Sequence, residues 1–240
     1  MDTWFFVAAF FAEIVGTLAG FGSSTILLPI AVLFFDFKTA LVLVAFMHLF
    51  GNLGRITFFR KGLVWRVIIY FGVIGVAGTL LGALLVSRID QSLLKALLGV
   101  FLVAYALFVL VKPSFSMKPT KLNMLSGGVS SGFLAGLIGT GGALRSAFLT
   151  AYNLPKTQYV STTAAIAIAV DGARIPLYIK DGLLATSYYW MLPILLVLAF
   201  AGSYAGKRLV TKIPQGVFSR VVLVCLLLAG AKLVADYFLA

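Results

Sequence analysis

The residue types that could do chemistry in this chain cluster around two glycine-rich runs. The first is Gly20-Phe21-Gly22-Ser23-Ser24-Thr25, inside an apolar stretch at residues 4–35. The second is Gly139-Thr140-Gly141-Gly142-Ala143-Leu144-Arg145-Ser146, inside an apolar stretch at residues 122–154. Glycine clusters weaken helices and permit sharp turns. Each stretch therefore reads as two short helices joined at a glycine turn, the second helix starting near residues 23–25 and 142–144. Helix starts carry unpaired N–H groups and a positive dipole end, and they bind anions. Arg145 falls in the first turn of the second such helix, where a charge surrounded by lipid needs a partner or a wet cavity. Arg145 with Gly22, Ser23, Ser24, Thr25, Gly141 and Gly142 thus forms a candidate oxyanion site. The guanidinium fork suits sulfite, a sulfonate, a carboxylate or a phosphate. The alternative is a structural turn whose arginine pairs with a buried carboxylate such as Glu13.

Further ionisable groups lie deep in apolar runs. His48, Asn52 and Arg55 follow one another at steps of four and three, which places them on one helix face. Asp171 and Arg174 take the matching places in the second half and are spaced to pair with each other. Asp171 or Glu13 is alternatively a proton site, because intramembrane acids often relay protons. Histidine is the side chain whose ordinary pKa lies near neutral pH, and His48 joins them as an ion-coupling candidate, against the plainer reading of a hydrogen-bonded packing residue. Asn52 and Thr162 extend the candidate substrate set. Thr162, with Ser161 and Thr163, lines a cavity or bonds its own helix. Arg55 and Arg174 are read as structural or gating residues.

Enzyme signatures are missing. One histidine and one cysteine supply no His/Cys metal site. No Walker-type phosphate loop and no GxSxG nucleophile elbow is present. No cofactor is expected, and the chain is not read as an enzyme.

The elements that position these residues follow from composition. Of 240 residues, 62% are hydrophobic and 11% charged, where soluble domains carry about 25% charged residues. A soluble domain cannot hide that much apolar surface; a polytopic membrane protein can, because lipid solvates its outside. The mean hydropathy is +1.10. A disordered chain is excluded, and the lone Cys225 excludes a disulfide scaffold and reads as core or lipid-facing packing. The net charge of +12 sits mostly in short loops between apolar runs. That is the distribution of topology signals, not of a nucleic-acid surface. Residues 1–11 have no basic region, and their apolar run continues onward, so no separate cleavable signal is expected.

Besides the two long stretches, apolar runs cover residues 39–58, 64–86, 93–111, 159–179, 187–205 and 217–238. These six approach the roughly 20 residues of a spanning helix. The stretch at 4–35 would be about 48 Å as one helix, against a hydrocarbon core of about 30 Å. Its two arms are expected at about 24 Å at most, as a steep hairpin or re-entrant element. Gly16-xxx-Gly20, Gly78-xxx-Gly82, Gly128-xxx-Gly132-xxx-Gly136 and Gly202-xxx-Gly206 read as close helix packing. Pro29, Pro176 and Pro193 are candidate kinks. Trp4, Trp65, Tyr188, Tyr189 and Trp190 are candidate interface anchors.

The chain repeats internally. Asn52-Leu53-Gly54-Arg55-Ile56 and Asp171-Gly172-Ala173-Arg174-Ile175 match at an offset of 119, continuing to Phe59/Tyr178 and Lys61/Lys180. Gly20/Gly139 and Gly22/Gly141 share that offset, and Gly78-xxx-Gly82 through Ile89 matches Gly202-xxx-Gly206 through Ile213 at 124. Residues 1–111 and 122–240 are the two repeats, and 112–121, with two prolines and three lysines, is a basic linker. If each glycine hairpin returns to its starting side, Arg60, Lys61, Arg66, Lys112, Lys118, Lys121, Lys156, Lys207, Arg208, Lys212 and Arg220 share one face. Lys38, Arg88, Lys95, Lys180 and Lys232 share the other. A single crossing per hairpin would split the same cations evenly. The positive-inside rule favours the asymmetric arrangement and puts both termini outside. Each half then crosses an odd number of times, so the repeats are inverted, as in many secondary transporters.

The glycine motifs, quoted as LAGFGSSTILLP (residues 18–29) and LAGLIGTGGALRSAF (residues 134–148), resemble the sulfite exporter TauE/SafE family of membrane transporters. In that family each of two repeats opens with a GxxGxGGG-type stretch followed by apolar residues and a proline. The similarity spans nearly the whole chain. Ser23 and Ser24 stand where glycines are common, and Ala143, Arg145 and Phe148 depart from the second copy. The resemblance implies transport of small anions: sulfite, sulfoacetate and other sulfonates, or carboxylates.

The expectation is an all-α polytopic integral membrane protein with two inverted repeats. Each repeat is a glycine-broken hairpin or re-entrant element followed by three transmembrane helices. Its partners are the lipid bilayer, a small anionic substrate, and a proton or sodium ion as coupling ion; nucleic acid is not among them. Alternating access in a bacterial or archaeal inner membrane is the leading reading. An anion channel is the alternative, and an intramembrane enzyme is a more distant one.

Overall fold

The computed structural model describes residues 2–59, 62–113, 115, 117–209 and 215–239. Every regular element among them is helical. The first half contains α1 (Asp2–Ala19), α2 (Ser24–Ala31), α3 (Phe37–Phe58), α4 (Trp65–Val86) and α5 (Gln91–Val111). The second contains α6 (Lys121–Ile138), α7 (Gly142–Leu149), α8 (Lys156–Lys180), α9 (Met191–Leu209) and α10 (Gln215–Leu239). Six helices, α3, α4, α5, α8, α9 and most of α10, are long and apolar enough to cross a membrane. The protein is a multi-pass membrane protein. Large apolar side chains such as Trp4, Leu122 and Phe238 lie exposed on its outside, where lipid replaces a packed neighbour.

Polar residues between the apolar runs set the helix starts. Asp36 accepts from the backbone N–H groups of Lys38 and Thr39 to begin α3. Asp90 accepts from Ser92 N–H at α5, and Thr120 from Asn123 N–H at α6. Each satisfies a donor that a helix terminus leaves unpaired.

The long apolar stretches break at their glycine runs, but unequally. α1 and α6 each have 18 residues, about 27 Å, whereas α2 and α7 have eight, about 12 Å. The even division expected from sequence fails because the turns lie late in each stretch. Gly20 and Gly22 adopt φ of +79° and +94°, and Gly139 closes α6 at +72°, a region that side chains with a Cβ avoid. The chain then folds back on itself: a Cβ on Gly16 would lie 2.4 Å from Ser23 N. Gly16 therefore packs on its own turn, while Gly20 faces the Tyr159 ring of α8, so the pattern does not form one face against a single neighbouring helix as its spacing suggests.

The other small-residue patterns bring helices together across the two halves. α4 lies against α6 so closely that a Cβ on Gly132 or Gly136 would fall 2.0 or 2.1 Å from the carbonyl oxygens of Gly75 and Thr79. On the other side α9 crosses α1, with Gly202 against the Glu13 side chain. The packing pattern survives exchange of the halves. α1 meets α9 as α6 meets α4, and α3 meets α9 as α8 meets α4. α3 pairs with its counterpart α8, and α5 with α10. The repeat and topology marks Arg60, Lys61, Lys212 and Ile213 lie outside the described residues.

Candidate functional site

The two glycine turns meet at the centre of the helix bundle. Thr140 Oγ1 donates to Thr25 Oγ1 at 2.8 Å. A Cβ on Gly142 would fall 1.9 Å from Phe21 O, and one on Gly22 would fall 2.2 Å from His48 Nε2. Only glycine lets these backbones and the imidazole approach so closely. α2 and α7 both begin here, and neither Ser23 nor Gly141 caps its helix with a side-chain hydrogen bond. Two positive helix ends therefore face a buried centre.

Two carboxylates are held near this centre, each by an arginine from the corresponding place of the repeat. Arg55 on α3 reaches across to Glu13 on α1, Nη2 to Oε1 at 2.5 Å. Arg55 also donates to Thr17 Oγ1 at 3.0 Å and to Asn52 Oδ1 at 2.8 Å. Ser203 on α9 donates to Glu13 Oε1 at 2.8 Å, while Glu13 Oε2 is buried without a hydrogen-bond partner. In the second half Arg174 pairs with Asp171 one turn earlier on α8, through Nε at 2.9 Å and Nη2 at 2.8 Å. Its Nη1 donates to Ala135 O on α6, and Tyr178 donates to Gly136 O at 2.5 Å.

His48 connects the halves. Its Nδ1 stands 2.7 Å from Asp171 Oδ2. With Asp171 ionised, the shared proton belongs to Nδ1, which leaves Nε2 as a lone-pair acceptor. Nε2 is buried, faces Gly22 and has no partner. The neighbouring Ser23 Oγ is also buried and unpartnered. Unsatisfied polar atoms in a protein interior call for an explanation. Two of them, His48 Nε2 and Ser23 Oγ, lie at the first glycine turn.

Arg145 is the third buried arginine, with 4% of its surface exposed. Its Nη2 lies 3.7 Å from where a Gly142 Cβ would stand, beside the α7 start. It makes no ion pair among the described residues. Glu13, its alternative partner in the sequence reading, is taken by Arg55. The buried described residues thus hold three arginines and two carboxylates, and Arg145 is the arginine that makes no direct ion pair with either carboxylate.

Of the other sequence candidates, Ser24 and Thr25 are buried beside Ser23 at the α2 start. Gly22, Gly141 and Gly142 form the turns themselves. Asn52 is buried, but its side chain is used within the protein: Nδ2 donates to His48 O at 2.7 Å and Oδ1 accepts from Arg55. Thr162 is buried, and its Oγ1 accepts from Val64 N–H at 3.1 Å, ahead of α4. Sequence reasoning passed over Ser203 and Thr140 as site residues. Ser203 carries no signal beyond following Gly202. Thr140 was quoted inside the glycine run, where its place between Gly139 and Gly141 could have marked it. No group of three or more His, Cys, Asp or Glu able to hold a metal occurs among the described residues.

Comparison with known proteins places this geometry in a family. A protein of Methanocaldococcus jannaschii, described as a probable membrane transporter protein, is 28% identical over 228 residues, covering 84% of this chain and 82% of its own length. No solved structure matches the chain. The profile of the sulfite exporter TauE/SafE family matches residues 5–233, nearly the whole sequence. With its two glycine turns and six membrane-length helices, this chain is a membrane transporter belonging to the sulfite exporter TauE/SafE family.

Proposed function

We propose that this protein is a secondary transporter of a small oxyanion, of the sulfite, sulfonate or small carboxylate type. It moves its substrate by alternating access and is not an enzyme. The observation that carries the reading is the Arg145 guanidinium, buried between the two glycine turns and lacking a carboxylate partner among the described residues. A buried unpaired charge is expensive, and a bound anion would remove that cost. The starts of α2 and α7, with Gly141, Gly142, Ser23, Ser24 and Thr25, add N–H and hydroxyl donors. Asn52 and Thr162 are left out, because protein partners occupy their side chains.

The exchange-symmetric packing of the halves supports the inverted-repeat reading, with residues 1–111 and 122–240 as the repeats. Coupling to an ion gradient is assigned to His48 with Asp171. A proton on Nε2 would turn that atom from acceptor to donor, facing the turn where the anion binds. Glu13 is the second coupling candidate, through its free Oε2. Arg55 and Arg174 act as the struts that hold these carboxylates.

Thermal unfolding of detergent-purified protein tests the anion site, comparing sulfite, sulfoacetate, lactate and acetate with chloride at matched ionic strength and pH. A ligand at about 100 times its dissociation constant adds about 2.7 kcal/mol of apparent stability. One anion should stabilise the wild type and leave Arg145→Ala unmoved. If Arg145→Ala responds as the wild type does, the site is misassigned.

A further inference from the structure

The exchange symmetry of the halves makes one local difference between them informative. On the second half, a cavity of about 440 Å³ opens beside the first glycine turn, lined by Gly20, Thr150, Asn153, Lys156 and Tyr159 among others. A second cavity of about 200 Å³ shares Ala19, Thr150 and Tyr159 with it and extends to Ser146, the residue after Arg145. The Tyr159 ring stands at their common wall, 3.1 Å from where a Gly20 Cβ would be. The two cavities open on the α7–α8 side, carry polar side chains within a mainly apolar lining, and reach inward as far as Ser146, next in sequence to Arg145, which lines neither of them.

The 119-residue offset identifies the corresponding places in the first half. Thr150, Asn153, Lys156 and Tyr159 correspond to Ala31, Phe34, Phe37 and Ala40. Here the same position is apolar and closed. Ala31, Phe37 and Ala40 have no exposed surface. Phe34 and Phe35 both pack on Phe5, with ring centroids 6.2 and 4.9 Å apart, and Phe35 meets Tyr188 edge-on at 5.7 Å. Gly139, the counterpart of Gly20, is pressed by Leu28 and Leu41, which a Cβ would meet at 2.7 and 2.6 Å.

We propose that these are the two access routes to the anion site, caught with one open and the other shut. The Tyr159 cavity is the open vestibule, and the Phe5–Phe34–Phe35 cluster is its closed counterpart on the opposite membrane face. The proposal rests on the transporter reading and on inverted repeats, which put corresponding positions at opposite faces. Lys156 belongs to the face richer in Lys and Arg, so the vestibule opens to the cytoplasm. Its occupant is a small oxyanion on the way to or from Arg145, and Tyr159 is the positioning residue between cavity and site.

Single cysteines in a Cys225→Ala background test this by labelling with a membrane-impermeant sulfonatoethyl thiosulfonate, in membrane vesicles of either orientation. Asn153→Cys and Thr150→Cys should react from the cytoplasmic face at least ten times faster than Phe34→Cys does from that face. Phe34→Cys should react only from the opposite face. Comparable rates from one face, or reaction of Asn153→Cys only from outside, overturn the assignment. Both vestibule positions are exposed; Asn153 has φ of +47°, where a cysteine is strained, so Thr150→Cys, in ordinary helical backbone, is the deciding variant. In a second arm, labelled Thr150→Cys protein should lose the anion-dependent thermal shift. If that shift persists unchanged, the cavity is not the route. Labelling does not depend on Arg145, so failure of the anion site, read from Arg145→Ala, is separable from failure of the vestibule.

Discussion

His48 Nδ1 and Asp171 Oδ2 stand 2.7 Å apart although 123 residues separate them, and they join α3 of one half to α8 of the other at the centre of the bundle. Each of the two has a second partner or face. Asp171 also holds Arg174, and His48 turns its free Nε2 toward the first glycine turn. The pair therefore combines a structural tie with an unpartnered ring nitrogen, and substitutions should separate the tie from the coupling role proposed for His48.

Asp171→Asn should be strongly destabilising, because it leaves the Arg174 guanidinium buried without its counter-charge. Breaking a buried pair from one side costs about 3–5 kcal/mol. His48→Gln removes one hydrogen bond to a charged group, worth about 1.5–3 kcal/mol, and should keep the fold. Thermal unfolding in detergent ranks the two. In proteoliposomes, His48→Gln should retain anion exchange but lose acceleration by an imposed pH gradient. Gradient-driven flux equal to wild type would remove His48 from coupling.

The Glu13–Arg55 pair binds α1 to α3 and, through Ser203, to α9. Glu13→Ala should lower stability by about 3–5 kcal/mol, by stranding Arg55. Adding Arg55→Met should recover much of that loss, since an apolar replacement of both partners leaves no charge to satisfy. A double-mutant cycle followed by thermal unfolding measures the coupling. Additive losses would show that the pair is not an interacting unit.

Glycines of the same chain should differ sharply in tolerance. Gly136→Val forces α4 and α6 apart, because even a Cβ would lie 2.1 Å from Thr79 O, and little folded protein should be recovered by size-exclusion chromatography. Gly172 lies mid-helix in α8 with nothing within 4 Å of a Cβ. Gly172→Ala should therefore be neutral or raise stability by about 0.5–1 kcal/mol. A loss of folded protein there would mean that the open space at Gly172 serves another contact.

The Asp171–Arg174 pair was legible in the sequence, because three residues along a helix is a fixed spatial relationship. The break of the first stretch near Gly20–Gly22 was legible for a similar reason: backbone turns depend on local residue type. Arg55 was not assignable in the same way. Its carboxylate lies 42 residues away on another helix, and the Ser203 that steadies that carboxylate is 190 residues from it. Spacing also misread Gly16, since whether a small residue meets a neighbouring helix or its own returning chain depends on the turn that follows.

The sequence by itself determined the membrane class, the six spanning lengths and the two glycine turns. Each of these is a sum over neighbouring residues: apolar runs long enough for lipid, and glycines where a backbone must turn. Only the tertiary structure decided which buried charges neutralise one another. It gave Glu13 to Arg55, joined His48 to Asp171, and left Arg145 with no direct ion pair among the described residues. Such pairing is fixed by how helices distant in the chain cross, which no run of neighbouring residues encodes.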